Sequence, residues 1–118
     1  MTKLLACLAE PVSSWPVVLK LVKCPDFEQI ILFCDEKAQK AFKAPENVRV
    51  VSFDRMLSAE SMRDYFFSIL KDMPFEMDVA LNLSSGDGKE HMALIAAALR
   101  TGSGIRFVTW RKDSMVEV

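Results

Sequence analysis

The chain has 118 residues, enough for one ordinary domain and too few for two. Hydrophobic residues make up 51% of it, which supports a full core and excludes a disordered tail. With 15 basic and 16 acidic residues the net charge is −1, which excludes a protein that grips long nucleic acid through a basic surface.

Residues 4–9 are continuously apolar, as expected of a strand buried on both faces. Met1, Thr2 and Lys3 before this run, with Glu10 and Pro11 after it, leave too little for a signal peptide. No apolar run reaches transmembrane length, so no membrane partner and a cytoplasmic location are expected. A loop over residues 10–14 follows. Ser13 or Ser14 is placed to cap a helix with Pro16 in its first turn, and Val17, Val18, Leu21 and Val22 continue it at helical spacing. Cys24, Pro25 and Asp26 stop that helix.

Residues 29–34 form a second apolar strand, residues 36–42 a short helix, residues 44–47 a turn, and residues 48–53 a third strand. Ser58 caps the next helix. Its apolar stripe, Met62, Tyr65, Phe66, Ile69, Leu70 and Met73, has the spacing of one buried face, and Pro74 closes it. Residues 78–84 are a fourth strand and residues 85–88 a tight turn. Residues 89–100 are a helix, apolar almost all round between Met92 and Leu99, which a glycine-containing stretch closes at residues 101–104. Residues 105–111 form a fifth strand, and a hairpin turn leads to a short last strand at residues 115–118.

Strands alternating with helices predict an α/β, Rossmann-like three-layer sandwich. It has a mostly parallel sheet, helices on both faces and a C-terminal β-hairpin. In such a sheet, ligands bind beyond the carboxyl ends of the strands where the strand order reverses. With the order 3-2-1-4-5 that point lies between the first and fourth strands. It brings together two loops rich in small polar residues: Glu10, Ser13 and Ser14 in one, and Ser84, Ser85, Gly86, Asp87, Gly88 and Lys89 in the other. Glycines let backbone approach a ligand closely, and free N–H groups at a helix start favour an anion. A lysine at that position opposes the helix dipole unless an anion or a carboxylate compensates it; the alternative is a plain glycine turn with Asp87 as N-cap and Lys89 in solvent.

The loop is not a Walker A motif, since Leu83 stands where the first glycine would be and Glu90 where Ser or Thr would be; a dinucleotide fingerprint belongs after the first strand, where Glu10-Pro11-Val12 has no glycine. His91 suits a capping or surface role. Trp15 suits packing, with base stacking as the alternative. Cys7, Cys24 and Cys34 read as reduced, packed thiols, and with one histidine in the chain no metal or other cofactor is expected.

Asn82-Leu83-Ser84-Ser85-Gly86, then Lys89, then the run from Met92 to Ala97 resemble the N-[IL]-[TS]-G-G-T-K pattern and Ala-rich helix of the CARF domains. These are the CRISPR-associated Rossmann-fold sensors of type III CRISPR antiviral systems. The resemblance covers nearly the whole chain, with Ser85 in place of a glycine and Asp87-Gly88 adding one residue before the lysine. It implies a symmetric homodimer that binds cyclic oligoadenylate, most often cyclic tetra-adenylate, across its two-fold axis. Ser13 and Ser14 fall where the family places a polar ligand contact. The family's effector domain, commonly a nuclease, has no counterpart in these 118 residues. The alternatives are a slow, metal-independent ring nuclease and a nucleotide-free Rossmann-like protein-interaction domain.

Overall fold

The computed structural model describes residues 2–118. β1 (Lys3–Leu8), buried along its whole length, is the axis of the sheet. It pairs in parallel with β2 (Gln29–Cys34) on one side and with β4 (Asp78–Asn82) on the other. β3 (Val48–Ser52) extends the sheet beyond β2, and β5 (Gly104–Arg111) extends it beyond β4. β6 (Ser114–Glu117) turns back antiparallel on β5 through Lys112 and Asp113, with Lys112 at φ +57°. The order is therefore β3-β2-β1-β4-β5-β6, the expected Rossmann-like arrangement with its terminal hairpin.

Strand alternation divides the core into two layers. Leu4, Ala6 and Leu8 face α1 (Trp15–Val22) and α2 (Glu36–Ala41), where Val18, Leu21 and Ala38 are buried. Leu5 and Cys7 face α3 (Ala59–Leu70) and α4 (Gly88–Arg100), where Met62, Phe66, Leu94 and Ala97 are buried. Phe66 is the centre of that layer, 4.3 Å from the Phe33 ring and edge-on to Phe53 at 5.4 Å. Of the expected α3 stripe, Met62, Phe66 and Leu70 are fully packed, and Tyr65, Ile69 and Met73 flank them. The first strand starts one residue earlier than its apolar run. Lys3 is buried there because its amine donates to the Pro74 carbonyl at 2.8 Å. Among the described residues no helix is long and apolar enough to cross a membrane.

All three cysteines are free and buried. Burial, with Asp35 beside it, pushes the Cys34 thiol from 9.0 up to about 12, and burial pushes Cys7 up as well, with Glu90 adding to the effect. Both thiols therefore keep their protons in the folded chain where an unfolded chain releases them. Below pH 9 they add no slope to stability. Above it, stability should fall by about 1.4 kcal/mol per pH unit for each thiol. Urea unfolding on either side of pH 9 should show this fall, and Cys34→Ala should reduce it. An alkaline slope unchanged in the variant would contradict the assignment.

Candidate functional site

Parallel order places the carboxyl ends of β1 and β4 side by side, so the loops that leave them meet. Ala9 is the meeting point. Its N–H donates to Ser85 Oγ at 3.0 Å, and its carbonyl accepts from Ser85 Oγ at 3.0 Å and from Trp15 Nε1 at 2.8 Å. Ser14 Oγ lies 2.8 Å from Ser85 Oγ and 2.6 Å from the Pro11 carbonyl. Ser14 occupies the N-cap position of α1 but makes no side-chain cap, because its hydroxyl is engaged by these partners. Trp15 is buried with its N–H used, so it packs and does not offer a face for stacking.

The β4–α4 loop is shaped by two residues. Gly86 sits at φ +99°, and an added Cβ would stand 2.9 Å from Glu90 Oε1 and 3.3 Å from Cys7 Cβ, so only glycine fits. Asp87 then starts α4 with a full capping box: Asp87 Oδ1 accepts from the Glu90 N–H at 2.9 Å, and Glu90 Oε1 accepts from the Asp87 N–H at 3.0 Å. This gives the acidic residue in the loop its role. His91, the single histidine, bonds the Ser85 carbonyl through Nε2 at 2.8 Å.

Sequence reasoning missed the side chain that ties this loop to the rest. Glu90 is fully buried, and Arg55, just beyond β3, grips it through Nε at 2.6 Å and Nη2 at 3.2 Å. The same guanidinium lies 3.5 Å from Asp35 and 3.7 Å from Asp87. The hydrogen bond to Glu90 above all, then the nearby carboxylates, raise its affinity for its proton further, against the opposing effect of burial. Asp35 caps α2 through the Ala38 N–H at 2.9 Å and accepts from the Glu10 N–H at 2.8 Å. Lys89, expected to face an anion, instead donates to the Arg55 carbonyl at 2.7 Å. Its position at a helix start is compensated from within the chain.

The expected site residues thus divide. Ser14 and Ser85 join the two loops, and Gly86 and Asp87 shape the second. Glu10, Ser13, Ser84, Asp87 and Gly88 reach solvent, while Ser14, Gly86 and Lys89 are half-buried. The first-turn N–H groups of Gly88 and Lys89 have no intrahelical acceptor, and among the described residues no side chain takes them. They are neutral donors at the positive end of a 13-residue helix, and Ser13 and Ser84, on the two joined loops, are exposed. A separate cavity of about 910 Å³ opens over the ends of β2 and β3, and it shares Glu10, Asp35 and Arg55 with this region.

No protein-family model and no curated protein matches the chain.

Breaking a buried ion pair by removing one partner strands the other charge, at a cost of about 3–5 kcal/mol. Arg55→Met should fall near the lower end of that range, because the guanidinium is partly exposed. Arg55→Met combined with Glu90→Gln should cost less than the sum of the two single changes, by about 1–3 kcal/mol. Additive urea-unfolding energies would show that the two side chains do not act as a unit.

Proposed function

We propose that this chain is a CARF-type sensor domain that binds cyclic oligoadenylate, cyclic tetra-adenylate in the first instance, as a homodimer. The observation that carries this reading is the junction of the β1 and β4 loops at the strand-order reversal, with the first-turn amides of α4 open to an anion. Phosphates of the ring would be held by the Gly88 and Lys89 N–H groups and by the Ser13 and Ser84 hydroxyls. Ser14, Ser85 and Arg55 would hold those donors in place. No side chain in this set is poised as a nucleophile, so the reading is recognition, with any cleavage of the ring left to its own 2′-hydroxyl.

Met92 and Leu99, two turns apart on α4, are 64% and 56% exposed, and Phe107 on the neighbouring β5 is 40% exposed. A helix that carries large apolar groups on its outer face is best covered by a partner, and a two-fold mate offers the same surface in return. That symmetry would present each ring with two copies of the donor set.

Two measurements test this. Gly88→Pro deletes one open amide at a position where proline suits a helix start and where an added Cβ meets nothing within 4 Å. It should leave the melting temperature near that of the parent and weaken cyclic tetra-adenylate by at least about tenfold, since an amide donor to a charged group contributes about 1.5–3 kcal/mol. Ring binding by the variant equal to the parent, or no binding by the parent, would overturn the reading. Leu99→Glu should elute as a monomer from a size-exclusion column and lose ring affinity. A monomeric parent at micromolar concentration would remove the dimer.

A further inference from the structure

We propose that the cavity over β2 and β3 receives the uncharged part of a purine nucleotide, its planar base and its sugar, and not its phosphate. The proposal takes its ligand class from the reading above and assigns a second compartment to it. At about 910 Å³ the cavity lies within the range of small-molecule sites, roughly 300–1,000 Å³, and it is large enough for a nucleoside.

Its electrostatics disfavour phosphate by a small margin of charge. Each cation that lines it is already paired: Lys37 is 3.5 Å from Glu10, Lys40 is 2.9 Å from Glu36, and Arg55 holds Asp35 and Glu90. Asp54 also lines the cavity and, among the described residues, has no cationic partner. Carboxylates are therefore in excess on the lining, which disfavours an anion and favours a group that donates hydrogen bonds. One oxygen of Asp54 accepts from the Met56 N–H at 2.8 Å, and the other remains to accept from an exocyclic amine.

One wall has the other property a base needs. Phe53, Leu57 and Tyr65 give it an apolar, partly aromatic surface. The Tyr65 hydroxyl donates to the Ser52 carbonyl at 2.7 Å, which fixes the ring, and Phe53 is braced edge-on by Phe66. A planar heterocycle gains by stacking on such a surface and by donating to Asp54 at its edge. Arg55 joins the two compartments, because it lines this cavity and binds Asp87 and Glu90 of the β4–α4 loop. A nucleotide can thus place its phosphate on α4 and its base here.

The test uses the full chain labelled with nitrogen-15, titrated separately with adenosine and with inorganic phosphate. Adenosine should shift the amides of residues 52–57 and of Tyr65, and phosphate those of residues 84–89. Tyr65→Ala should weaken adenosine about tenfold, the loss expected for one stacking partner, while Tyr65→Phe retains it. Asp54→Asn, at an exposed position that leaves the fold undisturbed, should weaken adenosine severalfold. Adenosine shifts confined to residues 84–89, or adenosine affinity unaltered in both Tyr65→Ala and Asp54→Asn, would overturn the proposal. Cyclic tetra-adenylate separates the two ideas. If the ring binds the parent and Tyr65→Ala equally well, the cavity assignment fails and the sensor reading stands. If adenosine seats in the cavity and the ring does not bind, the sensor reading fails and the cavity assignment stands.

Discussion

A carboxylate taken fully out of water is the most expensive group this fold contains, and Glu90 is that group. Arg55 makes it tolerable, and the fold uses the pair to align its functional end. Glu90 closes the capping box of α4 and packs against Gly86, so its orientation sets the β4–α4 loop. Arg55 carries that constraint across to Asp35, which caps α2 and holds the Glu10 N–H. Lys89 returns from α4 to the Arg55 carbonyl. Four loops at the carboxyl ends of β1, β2, β3 and β4 are thereby linked through one guanidinium and the groups that position it. The parallel sheet brings these loops to one end of the molecule, and the ionic cluster makes them one surface.

The cluster has an electrostatic consequence. Asp35, Asp87 and Glu90 surround a single arginine, so the region between the loops has more negative than positive charge. An anion is not drawn there by free cations, because Arg55 and Lys89 are both engaged. What remains unpaired at this end is the start of α4, with its dipole and its first-turn amides. Donors fixed in a rigid frame bind with less ordering cost than a mobile lysine. The same excess of carboxylates continues into the cavity over β2 and β3, which disfavours an anion there.

The sheet was legible in the sequence because each buried strand is a short, continuous apolar run and each helix carries its own cap or stop. Ser58, whose side chain caps α3 through the Ser61 N–H, is a case in which local chemistry and the final fold agree, whereas β4, expected over residues 78–84, ends at Asn82. The meeting of the two loops was legible too, since it follows from strand order alone. The direction of individual side chains was not. A lysine at a helix start reads as an anion ligand, yet in three dimensions the Arg55 carbonyl, in the loop after β3, lies within its reach. Ser14 and Ser85 read as ligand contacts, whereas they are 2.8 Å from each other across 71 positions of chain. Arg55 gave no signal because its three acidic partners are contributed by two other loops. One signal was available: Asp87 followed three residues later by Glu90 is the pattern of a capping box, and it marks Glu90 as turned back toward the loop.

The central claim is that the joined β1 and β4 loops are the surface on which a cyclic oligoadenylate rests. Amide hydrogen exchange of the native protein, with and without cyclic tetra-adenylate, tests it most directly. Exchange at residues 10–14 and 84–89 should slow together when the ring is added, because one ligand covers both segments. Exchange unchanged in both segments, or slowed only at the opposite end of the sheet, would contradict it.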